Sequence, residues 1–214
     1  MAIIFSQDWD VFPGREDEYE NFIMEYVPRS AKLGLQAIGG FCVEVGFGPR
    51  LVFLSSVGSL KSLCDVLSDK EYRNLLLDLK KYVINYQTKV LEPTGRVKKE
   101  AYELQKGIWK YNQYYDLIPG KKEAYADFII NEHLPVLEKF DYMEVTGGFN
   151  VIMGGFSEIV AEFKFKSPVD IGRLLDNEEY RKTTIKLRRN YVVNYRSRIM
   201  RTTGRFEEPR WYRL

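Results

Sequence analysis

Cysteine and histidine are nearly absent from this chain of 214 residues: Cys42 and Cys64 are its only thiols and His133 its only imidazole. A disulfide framework and a zinc site are thereby excluded, because both need several such residues at set spacings. Both cysteines are read as reduced packing residues. Long apolar runs are missing too, and the opening MAIIFSQDWD has no basic segment followed by an apolar stretch, so the expectation is a cytoplasmic protein with no membrane span and no export signal. Glycine-rich phosphate loops, nucleophile elbows and metal-ligand clusters do not occur. Net charge is low, only +2, yet it is uneven. From Arg181 to Leu214 eleven Lys/Arg face Glu207 and Glu208, a local +9, which leaves −7 for residues 1 to 180. Such a basic end marks an anion surface or one half of a self-complementary contact. What the chain does have is 45% hydrophobic residues with fifteen Tyr and thirteen Phe, ample for real cores.

It also says the same thing twice. Pro13-Gly14 returns as Pro119-Gly120, Tyr19/Phe22/Ile23 as Tyr125/Phe128/Ile129, Gly39-Gly40-Phe41 as Gly147-Gly148-Phe149, and Thr94-Gly95-Arg96 as Thr203-Gly204-Arg205. The offset grows from 106 (119 minus 13) through 108 (147 minus 39) to 109 (203 minus 94). A unit of about 100 residues is a small domain duplicated rather than a solenoid repeat. The boundaries read as 1–96 for the first copy, 97–107 for a charged linker, and 108–214 for the second copy with its basic tail.

Each copy carries the same signals in order. Alternation in Phe5-Gln7-Trp9-Val11 predicts a strand ended by Pro-Gly. Tyr19, Phe22, Ile23 and Tyr26 then predict an amphipathic helix that stops near Pro28 or a turn or two later. Gly39-Gly40 opens a hairpin of two strands, 41–47 and 51–57. A second helical segment restarts at Ser68-x-x-Glu71, with Asp176 in the matching place, and Ser167-Pro168 caps its counterpart in copy two. A last strand spans about 85–92 and 194–201. The order β-α-β-β-α-β, twice, is the ferredoxin-like split motif, which puts both helices of a copy on one sheet face. The opposite face (Ser6, Asp8, Asp10, Val52, Leu54; Asn112, Tyr114, Asp116, Val160, Glu162) needs cover, and the other copy's sheet supplies it. That face is more polar than a dry core.

With these residues in view, each copy resembles the NIPSNAP-like members of the dimeric α+β barrel superfamily. The resemblance rests on VFPG and LIPG, MEYVP and NEHLP, Gly-Gly-Phe, Glu-Tyr-Arg, and KVLEPTGR, and it covers about nine-tenths of the chain. It implies tandem ferredoxin-like α+β repeats forming an intramolecular dimeric α+β barrel. The superfamily includes cofactor-free monooxygenases, haem-handling enzymes and isomerases, so the fold alone selects no reaction.

Candidate site residues are few. Gln7 and Gln113 are matched amides on otherwise apolar faces, beside Trp9 in one copy and Tyr111 and Tyr115 in the other. A buried amide must meet a partner, either a tyrosine such as Tyr86 or Tyr195 or a ligand between sheet and helices. His133 is either a helix-end histidine satisfied locally or an acid/base or haem ligand. Asp10 and Asp116 precede turns and are expected to meet solvent or an Arg. The paired Thr-Gly-Arg motifs are expected to end strands and ion-pair with the other copy. RNA recognition needs exposed aromatics on the third strand, which RLVFLSSV and EIVAEFKF lack, so no nucleic acid is expected. Three readings follow: a small-molecule-binding barrel with an aromatic pocket (Gln7, Trp9, Tyr86, Tyr111, Gln113, Tyr115, Tyr195), a cofactor-independent monooxygenase or isomerase using His133, and an assembly module using the basic C-terminal face. A homodimer is compatible with each; no cofactor and no metal is expected.

Overall fold

A computed structural model describes residues 2–95 and 100–204; Arg96, Arg205 and the tail beyond lie outside the described residues. Eight strands close into one barrel. In chain order the elements are β1 (Ile3–Val11), α1 (Glu16–Lys32), β2 (Gln36–Gly46), β3 (Leu51–Val57), α2 (Leu60–Ser68), α3 (Lys70–Leu79) and β4 (Val83–Pro93). The second half follows with β5 (Trp109–Leu117), α4 (Lys122–Phe128), a stretch of π-helix (Ile129–His133), α5 (Leu134–Leu137), β6 (Met143–Gly154), β7 (Ile159–Phe165), α6 (Pro168–Asp176), α7 (Glu178–Asn190) and β8 (Val192–Thr202). Around the barrel the order is β1-β3-β2-β8-β5-β7-β6-β4, with β4 pairing back onto β1. The two halves thus share edges, at β2–β8 and β4–β6. Closure removes the open edges that two separate sheets would expose.

Helices cover the outside, where period-2 alternation sends Phe5, Gln7 and Trp9 against α1 and α3, and Tyr111, Gln113 and Tyr115 against α4 and α7. Inside lies one core drawn from both halves, including Ile4, Phe41, Leu54, Leu91, Phe149, Val160 and Met200. Each large apolar side chain so buried contributes roughly 1.5–3 kcal/mol.

The repeated motifs are explained by how the strands bend and join. Register slips between Ala37 and Gly39 and between Val145 and Gly147 mark matching bulges, and the ring two residues on folds back over each glycine. A Cβ on Gly147 would lie 2.0 Å from Phe149 Cε2, and one on Gly39 would lie 3.1 Å from Phe41 Cζ. Thr94 and Thr203 finish the closing strands by reaching across: Thr94 N–H donates to Gly148 O at 2.8 Å, and Thr203 N–H to Gly40 O at 2.8 Å. The two halves are therefore clasped by the same pair of motifs, once at each seam.

Asp10 and Asp116 meet neither an Arg side chain nor only solvent. Asp10 accepts from the Arg50 main-chain N–H at 2.7 Å and from Asn85 Nδ2 at 2.9 Å; Asp116 does the same with the Glu158 N–H and Asn194 Nδ2, both at 2.8 Å. Asn85 and Asn194 both take φ of 55°, a left-handed conformation that Asn tolerates and that produces the bulge beside each Asp. The helix restart falls one residue later than the sequence pattern suggests. Asp69, not Ser68, caps α3 by accepting from the Glu71 and Tyr72 N–H groups, and Asn177 caps α7, because each flanking residue ends the preceding helix. Cys64 is exposed rather than packed.

Candidate ligand-binding site

The seven aromatic and amide residues singled out in the sequence fall into two clusters on the outer faces of the barrel. In the first half Gln7 Nε2 donates to the hydroxyls of Tyr86 (2.7 Å) and Tyr26 (3.0 Å), with the Tyr72 hydroxyl a third neighbour at 3.3 Å, while Trp9 Nε1 donates to Tyr19 Oη at 2.9 Å and its ring stacks on Tyr86. In the second half Gln113 Nε2 donates to Tyr180 Oη at 2.6 Å, Tyr111 and Tyr195 hydroxyls are 3.3 Å apart, and Tyr115 stacks on Tyr195. The amides thus meet tyrosines. Burial pushes the Tyr26, Tyr72, Tyr86, Tyr115 and Tyr195 hydroxyls upward, so they are neutral donors rather than phenolate bases. Beside the first of these clusters, a cavity at Trp9, Tyr19 and Phe53 holds about 20 Å³.

His133 ends the π-helical stretch, which accommodates the missing N–H of Pro135. Its ring stacks on Phe128 and its Nδ1 lies 3.0 Å from Thr183 Oγ1. Burial pushes its pKa down to about 4, which leaves it uncharged at neutrality. It lines neither of the barrel cavities described next.

Room exists inside the barrel. A cavity of about 520 Å³ opens at one mouth, beneath a strap of residues 101–106 that is pinned to β2 by the Gln105 N–H donating to Ile38 O at 2.7 Å. Its two walls come from equivalent positions of the two halves and differ in kind. The first half supplies Ile4, Ile38 and Leu54; the second supplies Lys110, Thr146 and Glu162, at offsets of 106 (110 minus 4) and 108 (146 minus 38, 162 minus 54). Lys110 Nζ sits 2.8 Å from Glu162 Oε2, Thr146 Oγ1 donates to Glu162 Oε1 at 2.8 Å, and the ammonium lies 4.3 Å over the Phe41 ring. Burial pushes the Lys110 pKa down while Glu162 pulls it back up, the net shift being downward.

The other mouth opens into about 220 Å³, bordered by Phe47, Tyr114, Lys89 and Arg198. Lys89 Nζ and Arg198 Nη1 share one oxygen of Asp8, at 2.9 Å and 2.8 Å. Burial raises the Asp8 pKa, but the two cations outweigh it and hold the carboxyl below its ordinary value. Among the described residues no group of three or more His, Cys, Asp and Glu is placed to hold a metal, and no helix is long and apolar enough to cross a membrane.

No protein-family model matches the sequence, and no curated protein matches it. Solved structures do match the fold. One described as an anthrone oxidase-like protein superimposes with a TM-score of 0.64 at 10% identity, covering 95% of this chain and 93% of that one. The fold is the dimeric α+β barrel. A heme-binding protein from Thermus thermophilus superimposes on this barrel with a TM-score of 0.56 at 11% identity over 93% of this chain and 90% of that one. A NIPSNAP family protein from Agrobacterium tumefaciens matches about half of it: 45% of this chain, 96% of that chain, 17% identity, TM-score 0.38.

The residues that the sequence reading passed over are those pointing into this dimeric α+β barrel: Lys110, Glu162, Thr146, Lys89 and Arg198. Glu162 and Asp8 stand on the polar face named from the sequence; Lys110 and Lys89 reach them from the neighbouring strand of the same half, and Arg198 reaches Asp8 from the other half. The repeat itself held the signal. Aligning Ile4 with Lys110 and Leu54 with Glu162 exposes a charge pair where the other copy is apolar.

Proposed function

We propose that the protein binds a small organic molecule inside the barrel, in the 520 Å³ cavity between the Ile4/Ile38/Leu54 wall and the Lys110/Glu162/Thr146 wall. The single observation that carries this reading is the asymmetry between those walls. The same three positions are filled by apolar side chains in the first half, so the fold has no need of a buried ion pair there. Such a pair contributes little to stability, since apolar replacements of similar volume are commonly neutral or stabilising. An apolar wall facing a few converging polar groups, in a volume of several hundred Å³, is the usual form of a small-molecule site. A ligand would lay its hydrocarbon body on Ile4, Ile38 and Phe149 and direct an oxygen at Lys110. No observation favours chemistry at His133 or assembly on the basic tail over this reading.

The test transplants one wall onto the other. The variant Lys110→Ile, Thr146→Ile, Glu162→Leu is expected to fold with a melting temperature equal to or above that of the parent, by up to about 1–4 kcal/mol of added stability. It should lose the thermal stabilisation that the parent gains from members of a panel of small aromatic ketones and alcohols. Equal ligand-induced shifts in parent and variant would place binding elsewhere.

A further inference from the structure

The second barrel mouth carries an imbalance of charge that the duplication makes visible. Lys89 on β4 and Arg198 on β8 are equivalent positions of the two halves (198 minus 89 is 109), and both turn inward onto Asp8 Oδ2. The position equivalent to Asp8 is Tyr114 (114 minus 8 is 106), so a second carboxylate is missing and two cations share one. The 220 Å³ cavity here is lined by these two cations and by Arg196, with no carboxylate side chain among its lining residues. Arg198 is 3% exposed, and its Nε is buried with no hydrogen-bond partner among the described residues. An unpaired donor on a buried cation is costly and invites an anion from outside. Its plane is fixed by two rings, Phe47 at 4.5 Å and Tyr114 at 5.4 Å, and Phe156 stands at the rim, 76% exposed.

We propose that this mouth binds a small organic monocarboxylate with a flat apolar body, its carboxylate on the unpartnered Nε of Arg198 and on Lys89, its body against Phe47 and Tyr114. A planar carboxylate matches the fork of a guanidinium better than a tetrahedral anion does. The volume, below the usual 300–1,000 Å³ of ligand sites, restricts the body to about one ring. This site is distinct from the larger cavity and does not depend on it.

Isothermal titration of the full chain at low salt with benzoate, benzamide and inorganic phosphate tests the assignment. Benzoate is expected to bind, at least tenfold tighter than its neutral isostere benzamide and tighter than phosphate, and to weaken as salt is added. Arg196→Gln, at the exposed rim, should weaken benzoate several-fold. Arg198→Lys, which keeps the charge paired with Asp8 but loses the planar fork, should weaken it by tenfold or more. The Lys110→Ile, Thr146→Ile, Glu162→Leu variant should bind benzoate as the parent does, so a failure of one cavity leaves the other readable. Equal binding of benzoate and benzamide, no benzoate binding at millimolar concentration, or benzoate affinity untouched by both arginine variants overturns the proposal; phosphate binding better than benzoate overturns the carboxylate assignment.

Discussion

Thr183 donates its hydroxyl hydrogen to the Tyr180 carbonyl at 3.1 Å, so its oxygen is left to accept from His133 Nδ1 at 3.0 Å. That contact fixes the tautomer of an imidazole that lies between Phe128 and Tyr180. Burial pushes the folded-state pKa from 6.5 down to about 4. Between those values the unfolded chain binds more protons than the folded one, so stability falls as the solution is acidified through the window and the full penalty is reached below pH 4. At 1.36 kcal/mol per unit the loss between pH 7 and 4.5 is about 2 kcal/mol. Asp8 acts with the same sign at lower pH: its depressed carboxyl adds stability that is present above its ordinary value and lost as pH falls through its folded-state value. Urea unfolding at pH 7 and pH 4.5 should therefore show the drop in the parent and a much flatter response in His133→Leu. A His133→Leu protein that kept the parental pH slope would mean that the buried imidazole is not its source.

Among the elements, β2 and β6 carry the heaviest local constraint, because each must bulge where a ring folds back over glycine. Phe149 is 2% exposed inside the barrel, and a methyl on Gly147 would meet it at 2.0 Å, with packed core on every side to resist movement. Gly147→Ala is expected to destabilise by about 1–3 kcal/mol, the ordinary range for overpacking. Gly172, in the exposed face of α6 with nothing within 4 Å of an added Cβ, should do the reverse: Gly172→Ala is expected to stabilise by about 0.4–1 kcal/mol through helix propensity and a less flexible unfolded chain. Opposite signs in thermal melts check the pair. Elements were legible from the sequence because local rules set them. Alternation placed the strands, and Ser167-Pro168 placed the start of α6, with Ser167 Oγ accepting from the Val169 N–H. The cap at Asp69 was missed by one residue because Ser68 and Asp69 are both good capping types, and backbone geometry at the junction, not residue type, decides between them. The π-helical stretch before Pro135 had no counterpart at Pro28, where α1 runs on to Lys32, so the same signal gave two outcomes.

For the whole molecule, the repeat made the barrel readable, since two ferredoxin-like sheets in one chain can cover each other's open faces. The interior charges were not, because Asp8 meets Arg198 from 190 positions away, across the two halves, and Lys110 meets Glu162 from 52, through the β5–β7 register that local patterning does not set. Closure also makes an energetic claim. Neither half has a private barrel core: Ile4, Phe41, Leu54 and Leu91 pack in one cluster with Tyr114, Phe149, Val160 and Met200, and both seams consist of strand ladders between halves. Unfolding one half alone would bare the other half's inner face, leave its ion pair (Asp8 with Lys89, or Lys110 with Glu162) open to water, and free its two seam strand edges, so the intermediate loses the interior that stabilises what remains. Two halves that share a core should melt as one unit despite their separate outer clusters under the helices. Scanning calorimetry of the full chain is expected to give a single transition whose calorimetric and van't Hoff enthalpies agree; two resolved transitions, or a van't Hoff enthalpy near half the calorimetric one, would mean that the halves hold themselves up independently and that the barrel interior is an interface rather than a core.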